Sequence, residues 1–445
     1  MKLQRLLFLF VMLVPACALA QQYPIAELRA TGSKRFAEAD ILRASGLEKG
    51  KREIPLAQVK DAASRLLGFG TFTEVSYRHT QVAGGMKVEF VVKDAEEFVP
   101  ADFDNIVWLP LPELSAELHK RVPLFSGELP INTTANLPDE VAAALQGLLN
   151  ERGVKTTVSV VMAGKRDAAM TSYVFRADDA EVKMGSLTVP GASPAFVPKL
   201  SAAIKDILAT HYQRSTLETF IKHNLRSIYE RAGYLRAEFR QPQVAIASQK
   251  DNETTVAITL PVQEGRAYTF AGVQWSGNTM IGPNDLTAYI HQKAGQPVDG
   301  VQLRFDIERV RIEYAQRGYM HMLLDFKPSY DETAGTVRYE AVISENELFN
   351  MGKLDIAGLA ASSEERVRQR WRMREGDPYD AGYVKQFFAE QFRLPPDVIY
   401  VVEQSEGEAK NSIDLTLIFC KDGTKCLASA PNQLYIPDTE PRRRR

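Results

Sequence analysis

The sequence predicts an α+β fold in which one unit of about 80 residues is repeated about five times. Three observations predict this architecture. Apolar helical stripes end at regularly spaced glycines, a tight glycine turn precedes most pairs of helices, and strands with alternating apolar residues close the units. Such alternation is typical of a sheet with one face on a core and the other toward water. We therefore expect each unit to be a small mixed three-stranded sheet, in the order β-α-α-β-β, covered by its two helices.

The chain begins with the layout of a secretory signal peptide, over residues 1–20. Lys2 and Arg5 precede an apolar run, and Ala18–Ala20 supplies the small residues of a cleavage site. The apolar run is too short to span a bilayer, which takes about 20 residues. Cys17 leaves a lipoprotein interpretation open as the alternative. We expect an exported protein.

Length and composition exclude several classes of protein. A chain of 445 residues is too long for one hydrophobic core, so several domains are expected. With 54 Lys and Arg against 56 Asp and Glu, the chain lacks the basic footprint of general nucleic-acid binding. Its three cysteines are too few for a disulfide-rich scaffold.

A helical stripe that ends at a glycine occurs in four of the units. Apolar residues spaced by four positions lie on one helix face, and a glycine accepts the left-handed conformation in which many helices end. In two units a tyrosine follows the glycine directly. The resulting repeat markers are Gly70, Gly153, Gly233, Tyr234, Gly318 and Tyr319.

Two further glycine markers precede these helix ends. Gly32 and Gly277 have the same offsets to the apolar residues that follow them, which predicts a strand, a tight turn and a first helix. Gly295-Gln296-Pro297 and the matching Gly376-Asp377-Pro378 break the first helix before the second begins. The predicted units cover 23–98, 99–180, 181–265, 266–346 and 347–421.

The second and fifth units diverge from this pattern. In the second unit, Leu109–Pro112 stands where the other units have the glycine turn. In the fifth unit, the second helix is expected to end at Leu394–Pro396, without a Gly-Tyr pair.

The repeated pattern resembles the POTRA domain, the polypeptide-transport-associated module of outer-membrane assembly proteins. The run Val273–Asn278, the corner from Tyr314 to Tyr319 and the closing alternating strand carry this resemblance. Five tandem copies resemble the periplasmic arm of BamA-type assembly proteins. The resemblance implies a periplasmic location, with a position peripheral to the outer membrane as an alternative, and the binding of client strands and partner proteins.

A membrane β-barrel follows the arm in those families, whereas only a tail, 422–445, follows the fifth unit here. A barrel of even eight strands needs many more residues. We therefore expect a barrel-less arm, and insertase or pore activity is not carried over from the resemblance.

Strand addition is the expected mode of binding. A three-stranded sheet leaves an edge whose unpaired N–H and C=O groups can accept an extended peptide as a further strand. In the resembling family the strand after the Gly-Tyr corner is such an edge. We therefore expect Ala237, Phe239, Leu323 and Asp325 to lie on partner-binding edge strands, with plain sheet surface as the alternative for each. The expected partners are outer-membrane protein clients or a separate outer-membrane barrel.

Nothing in the sequence indicates a catalytic, cofactor-binding or metal site. The six histidines have no metal-ligand spacing, and no nucleophile-elbow, Walker or dinucleotide-binding motif occurs. We predict a non-enzymatic protein without cofactor, nucleic-acid partner or small-molecule substrate. The alternatives are a structural envelope adaptor that binds one folded partner, as in cell-division or membrane-organisation complexes, and an envelope enzyme.

Two features near the end of the sequence have alternative interpretations. Cys420 and Cys426 flank a short turn, so an oxidising compartment favours a disulfide between them, with redox sensing as the alternative. Arg442–Arg445 forms a basic tail, which is either a solvated end or a contact with anionic lipid.

Overall fold

The computed structural model describes residues 22–50, 54–132, 134–164, 170–208, 210–250, 253–395 and 398–420. These residues form several small mixed sheets and short helices, so the predicted α+β fold class is confirmed. The predicted signal peptide with Cys17, the partner cysteine Cys426 and the arginine tail lie outside the described residues. Over the part of the chain that is described, no helix has the length and apolar character needed to cross a membrane.

The first two predicted units contain nine strands and four helices among their described residues. In chain order these are β1 (Gln22–Tyr23), β2 (Ile25–Thr31), α1 (Glu38–Ser45), β3 (Ile54–Pro55), α2 (Leu56–Gly68), β4 (Phe72–Val82), β5 (Gly85–Asp94), β6 (Phe98–Phe103), α3 (Leu111–Arg121), β7 (Glu128–Pro130), α4 (Leu137–Glu151), β8 (Val158–Gly164) and β9 (Met170–Ala177). One continuous hydrophobic cluster, from Ala30 to Ala180, fills the interior of both units.

The third predicted unit has several short elements. They are β10 (Glu181–Thr188), α5 (Val197–Lys205), α6 (Arg214–Phe220), a π-helical turn (Ile221–Leu225), α7 (Arg226–Glu230), β11 (Glu238–Phe239), β12 (Gln243–Lys250), β13 (Glu253–Thr259) and β14 (Val262–Gln263). The chain groups into two compact units, and the segments of this region are divided between them.

The last two predicted units each have a hydrophobic core of their own. Their elements are β15 (Thr269–Ser276), α8 (Pro283–Ala288), α9 (Gly300–Ala315), β16 (Leu323–Asp331), β17 (Thr336–Ser344), β18 (Asn350–Ala357), α10 (Ala361–Arg370), α11 (Tyr383–Gln386), a π-helical turn (Phe387–Gln391), β19 (Ile399–Glu406) and β20 (Ser412–Cys420). Asp299 caps the start of helix α9, because its side chain accepts hydrogen bonds from the backbone N–H groups of Val301 and Gln302 at 2.9 and 2.8 Å. This cap satisfies two donors that have no partner within the helix.

The same strand order recurs in five sheets. The central strand pairs in parallel with the first strand of the unit and antiparallel with the strand that precedes it in the chain. The orders are β2-β5-β4, β6-β9-β8, β10-β13-β12, β15-β17-β16 and β18-β20-β19. Burial alternates strictly along β17, so one face of the fourth sheet lies on the core, as the sequence pattern predicted.

The second sheet differs from the prediction because it has four strands. The loop after α3 contributes β7, which pairs antiparallel with β6. The turn after β6 contains Asn105 instead of glycine. The Asn105 side chain accepts a hydrogen bond from the N–H of Ala177 at 2.8 Å and donates one to the carbonyl of Ala177 at 2.9 Å. Leu109 and Pro110 instead precede the start of α3.

The repeat markers end helices. Gly70, Gly153, Gly233 and Gly318 all have positive φ values, between 74° and 90°. The backbone N–H groups of Tyr234 and Tyr319 donate back to the carbonyls of Tyr229 and Tyr314, both at 3.0 Å. These are the hydrogen bonds of a helix that ends at a left-handed residue.

Candidate functional site

One edge of the fourth sheet is covered by the loop between its two helices. The N–H of Phe270, on β15, donates to the carbonyl of Gln296, and the N–H of Gly295 donates to the carbonyl of Phe270, both at 2.8 Å. In the fifth sheet Met351 makes the equivalent pair of bonds with Asp377 and Gly376, both at 2.7 Å. The glycine-proline marker therefore does more than break a helix, because it pairs with the first strand of its own unit.

The remaining units cover the same edge with different residues. In the first, the N–H of Gly50 donates to the carbonyl of Ile25 at 2.9 Å. In the second, β7 lies along β6. In the third, the N–H of Met184 donates to the carbonyl of Thr210 at 3.1 Å. The first strand is thus partly paired on its outer side in all five sheets.

The opposite edge of each sheet carries no further strand among the described residues, and we call it the open edge. Side chains bind single backbone groups on two of these edges: the N–H of Val158 donates to Gln146 at 2.9 Å, and the carbonyl of Leu324 accepts from Arg311 at 3.3 Å. Over the described ranges, the outer strand on that side pairs with its central strand and with no other strand. Unpaired backbone groups along such a strand can accept an additional strand. The five open edges are β4, β8, β12, β16 and β19.

Two of the four residues predicted for the edges lie on one. Leu323 and Asp325 lie on β16, and the Leu323 side chain is 66% exposed. Pro328 further along β16 has no N–H to donate, which restricts an incoming strand to the first half of β16.

Neither Ala237 nor Phe239 lies on one of the five open edges. The placement of Ala237 on a strand is wrong, whereas Phe239 does lie on an outer strand, but of a separate two-stranded sheet. Ala237 is buried, and Phe239 lies on the short strand β11, where it pairs with Val262 of β14. The Phe239 ring packs against Tyr229 with its centroid 5.7 Å away. The residues that directly follow the Gly-Tyr corner therefore pack inside the unit, and the open edge strand of the third sheet is β12, which comes later in the chain.

The five open edges differ in how well they are protected against strand addition. Charged residues and prolines commonly prevent such pairing. Strand β8 has the sequence Val-Ser-Val-Val-Met-Ala-Gly, without a charge or a proline, and exposes Val161 and Met162 by 48% and 55%. The other four edges each contain at least one charged residue; examples are Glu74, Lys250, Asp325 and Glu403. The sequence placed an edge strand near Lys155–Val161 but named no partner-binding residue on it, although the uncharged run was a usable signal.

A buried tyrosine and a glutamate hold the turn and the second helix of the fourth unit together. The Glu345 carboxylate accepts hydrogen bonds from the Tyr314 hydroxyl at 3.0 Å and from the backbone N–H groups of Thr279 and Met280 at 2.7 and 2.8 Å. We call this arrangement the Tyr–Glu brace. It joins α9, the turn after β15 and the end of β17, and it therefore supports the sheet to which the open edge β16 belongs.

The brace recurs in altered form. Glu264 accepts from the Tyr229 hydroxyl at 3.0 Å and from the N–H of Ser193 at 2.7 Å. In the first unit Asp94 accepts from the N–H of Lys34 at 2.7 Å, but Leu66 occupies the position of the tyrosine. One oxygen of Asp94 is accordingly buried without a hydrogen-bond partner among the described residues.

Hydrogen bonding sets the ionisation of the fourth brace. Burial opposes the charged form of Glu345, but the hydrogen bonds from Thr279, Met280 and Tyr314 outweigh it and lower the pKa of Glu345 below its ordinary value. Burial raises the pKa of Tyr314, and the bond to the Glu345 carboxylate raises it further. At neutral pH the brace is therefore a charged acceptor with a neutral donor.

Acidification should weaken the fourth unit through Glu345. Because its folded pKa lies below the ordinary value of 4.5, its contribution to stability is present above pH 4.5 and is lost as the pH falls through the folded pKa. Glu345→Gln should cost about 1 kcal/mol at pH 7 and flatten the pH dependence below 4.5. Hydrogen exchange of β15–β17 between pH 3 and 7 measures both, with the exposed Glu347→Gln as control. Equal pH profiles for Glu345→Gln and the unmodified protein would contradict the assignment.

Within the described ranges, no group of three or more histidine, cysteine, aspartate or glutamate side chains is placed to hold a metal ion. Cys420 ends β20, but its predicted disulfide partner Cys426 lies outside the described residues, so that disulfide stays a prediction.

Comparison with known proteins adds a family assignment for the fourth unit. The family model described as POTRA, surface antigen variable number repeat, matches residues 268–346. This range holds β15, α8, α9, β16 and β17. The resemblance to POTRA domains is therefore confirmed, and the fourth unit is a POTRA domain.

Similar proteins come from several bacteria. A "Putative outer membrane protein assembly factor" of Treponema pallidum (strain Nichols) is 21% identical over 225 residues, covering 48% of this chain and 27% of the relative. This chain thus spans about a quarter of the length of that relative. The structure of POTRA domains 3–5 of BamA from Haemophilus influenzae shares 18% identity, covers 53% of this chain and 95% of that one, and gives a TM-score of 0.41. The N-terminal domain of Omp85 from Thermosynechococcus elongatus shares 17% identity over 54% of this chain and 98% of that one, with a TM-score of 0.23.

Proposed function

We propose that this chain is a non-enzymatic periplasmic binding protein in outer-membrane protein assembly or secretion. It holds extended outer-membrane clients, or a separate outer-membrane barrel partner, by adding their strands to its sheets. The observation that carries this proposal is the recurring sheet in which one edge is covered by the unit's own loop and the other is open. The relative named as an outer membrane protein assembly factor supports the same process.

The mode of binding follows from the open edges. Main-chain hydrogen bonds along an edge strand hold a peptide without requiring a specific sequence, while alternate side chains contact the two faces of the sheet. This suits outer-membrane strands, whose residues alternate between polar and apolar. We further propose that the repeats have the predicted boundaries, 23–98, 99–180, 181–265, 266–346 and 347–421.

Strand β8 is the edge that we propose clients use first. It contains no charged residue and no proline, and exposed Val161 and Met162 offer apolar contact to an incoming strand. Because the N–H of Val158 already donates to the Gln146 side chain, we place the incoming strand beyond Val158. On β16, Leu323 offers the same kind of contact, but Asp325 and Lys327 form an ion pair on the strand.

Charges placed on β8 should weaken client binding. The double substitution Val161→Lys and Met162→Lys should reduce the affinity for an alternating client peptide by at least about tenfold, because two cations oppose edge pairing. Fluorescence anisotropy with a labelled ten-residue peptide measures this. The matched control is Phe305→Lys with Ile312→Lys on α9, which adds the same charges to apolar side chains that are 61% and 48% exposed. Unchanged affinity in the β8 variant would remove β8 from the proposal.

An adaptor that binds one folded partner is the second candidate function. The exposed side chains of Phe305 and Ile312 favour it, because they lie seven residues apart on one face of α9 and folded partners commonly dock on apolar helix faces. If the α9 variant loses binding of a partner recovered by cross-linking in cells while peptide binding is absent, the adaptor function replaces the client function.

A further inference from the structure

Five arginines occupy alternate positions between Arg366 and Arg374, and no acidic residue lies among them. The first three lie on α10, and the other two are exposed residues of the segment that follows it. Since the whole chain carries a formal charge of only −2, this density of positive charge is local.

Only one of these five guanidinium groups is neutralised by a carboxylate in the described part of the chain. Arg368 pairs with Glu364 at 3.0 Å. Arg366 donates to the carbonyl of Ser362 and the hydroxyl of Ser363, which carry no charge. The side chains of Arg372 and Arg374 are exposed and make neither an ion pair nor a hydrogen bond to any described residue.

A sixth arginine, Arg393, lies next in sequence to a residue that Arg370 contacts. The Arg370 guanidinium donates to the carbonyl of Gln391 at 3.2 Å and lies 5.9 Å from the centre of the Phe392 ring. The next residue, Arg393, is exposed and has no partner among the described side chains. Alternate positions on a helix lie on opposite faces, and Arg368 donates to the carbonyl of Leu354, away from Gln391. We therefore confine the arginine surface to Arg370, Arg372, Arg374 and Arg393.

We propose that the arginine surface binds the phosphate headgroups of an anionic phospholipid membrane. Guanidinium groups bind phosphate oxygens through paired N–H donors, and they stay charged at any physiological pH. A cluster of four or more basic residues is attracted to anionic lipid, and each residue near the membrane surface adds to the binding.

The surroundings of the arginine surface favour a membrane over a protein partner. Protein interfaces depend on apolar anchors that become buried at their centre. In the fifth unit, as far as it is described, the large apolar side chains that are exposed comprise only Ile399, which lies on the edge strand β19. A positively charged surface without an exposed apolar side chain is therefore better suited to bind the phosphate headgroups of a membrane than to bind a protein.

Vesicle binding tests this proposal with the full chain. The triple substitution Arg372→Gln, Arg374→Gln and Arg393→Gln should lower partitioning onto vesicles of phosphatidylglycerol and phosphatidylcholine by about a hundredfold in low salt. The control triple, Lys60→Gln, Lys199→Gln and Lys222→Gln, removes the same charge from exposed positions outside the surface and should reduce partitioning less than threefold. Pure phosphatidylcholine vesicles should bind neither protein.

Two outcomes would overturn the proposal. Equal losses in the two triple variants would show that net charge alone controls binding. Binding that persists in the arginine variant but disappears when Arg442–Arg445 is replaced by glutamine would assign lipid contact to the tail. Neither outcome affects the proposed strand addition, which the substitutions on β8 test separately.

Discussion

Replacing Gly277 by alanine should destabilise the fourth unit by at least about 3 kcal/mol. Gly277 has a φ of 75°, a conformation that costs an L-residue about 1–2 kcal/mol. A Cβ atom at this position would also lie 2.1 Å from the carbonyl oxygen of Ile343, a backbone atom of the central strand that cannot move independently. Relieving this overlap requires the turn to separate from β17, which would also displace the Tyr–Glu brace.

Gly295→Ala is the matched control for this prediction. Gly295 has a similar φ of 82°, but nothing lies within 4 Å of the position that its Cβ would take. The control should therefore show only the conformational cost, about 1 kcal/mol. Hydrogen exchange of peptides from β15 and β17 in the full chain gives the opening free energy for each variant. Equal losses of opening free energy in the two variants would mean that the overlap with the Ile343 carbonyl does not contribute to the destabilisation.

Removal of the Asp306 carboxyl group should cost about 3 kcal/mol and should open the covered edge of the fourth sheet. Asp306 is fully buried on α9 and accepts hydrogen bonds from the backbone N–H and the ring Nδ1 of His291, at 2.9 and 2.7 Å, and from Gln302 at 2.8 Å. In Asp306→Ala the exposed His291 and the half-buried Gln302 lose a charged, buried acceptor, and hydrogen bonds to charged groups are the more costly ones to lose.

The expected structural consequence of Asp306→Ala lies on β15. His291 begins the loop whose later residues, Gly295 and Gln296, bond Phe270. Once the loop is released, the Phe270 amide should exchange at least about tenfold faster, because its acceptor is on that loop. Glu308→Ala on the same helix removes only an exposed pair with Arg311 and should cost less than about 0.5 kcal/mol. An unchanged Phe270 exchange rate would show that Asp306 does not hold the covering loop.

The helix-ending corners were predictable because their causes are local. The spacing from Tyr314 to Gly318 already indicates one helix face and its left-handed end, and both are observed. The alternating strand β17 was predictable for the same reason, since alternation along one strand reports its two faces.

The open and covered edges required the structure. Gly295-Gln296-Pro297 reads as a helix break in the sequence, but its bonds to Phe270 join residues far apart in the chain. The position of Phe239 likewise depends on packing with Tyr229 and pairing with Val262 that no local pattern encodes.

The sequence by itself determined that a β-α-α-β-β unit recurs and where its helices stop, because helix periodicity, strand alternation and glycine conformation act over a few neighbouring residues. Only the tertiary structure decided which side of each sheet remains available for a guest strand. That outcome depends on hydrogen bonds between segments that are distant in the chain. Different sequences make these bonds: a glycine-proline loop in the last two units, and strand β7 in the second.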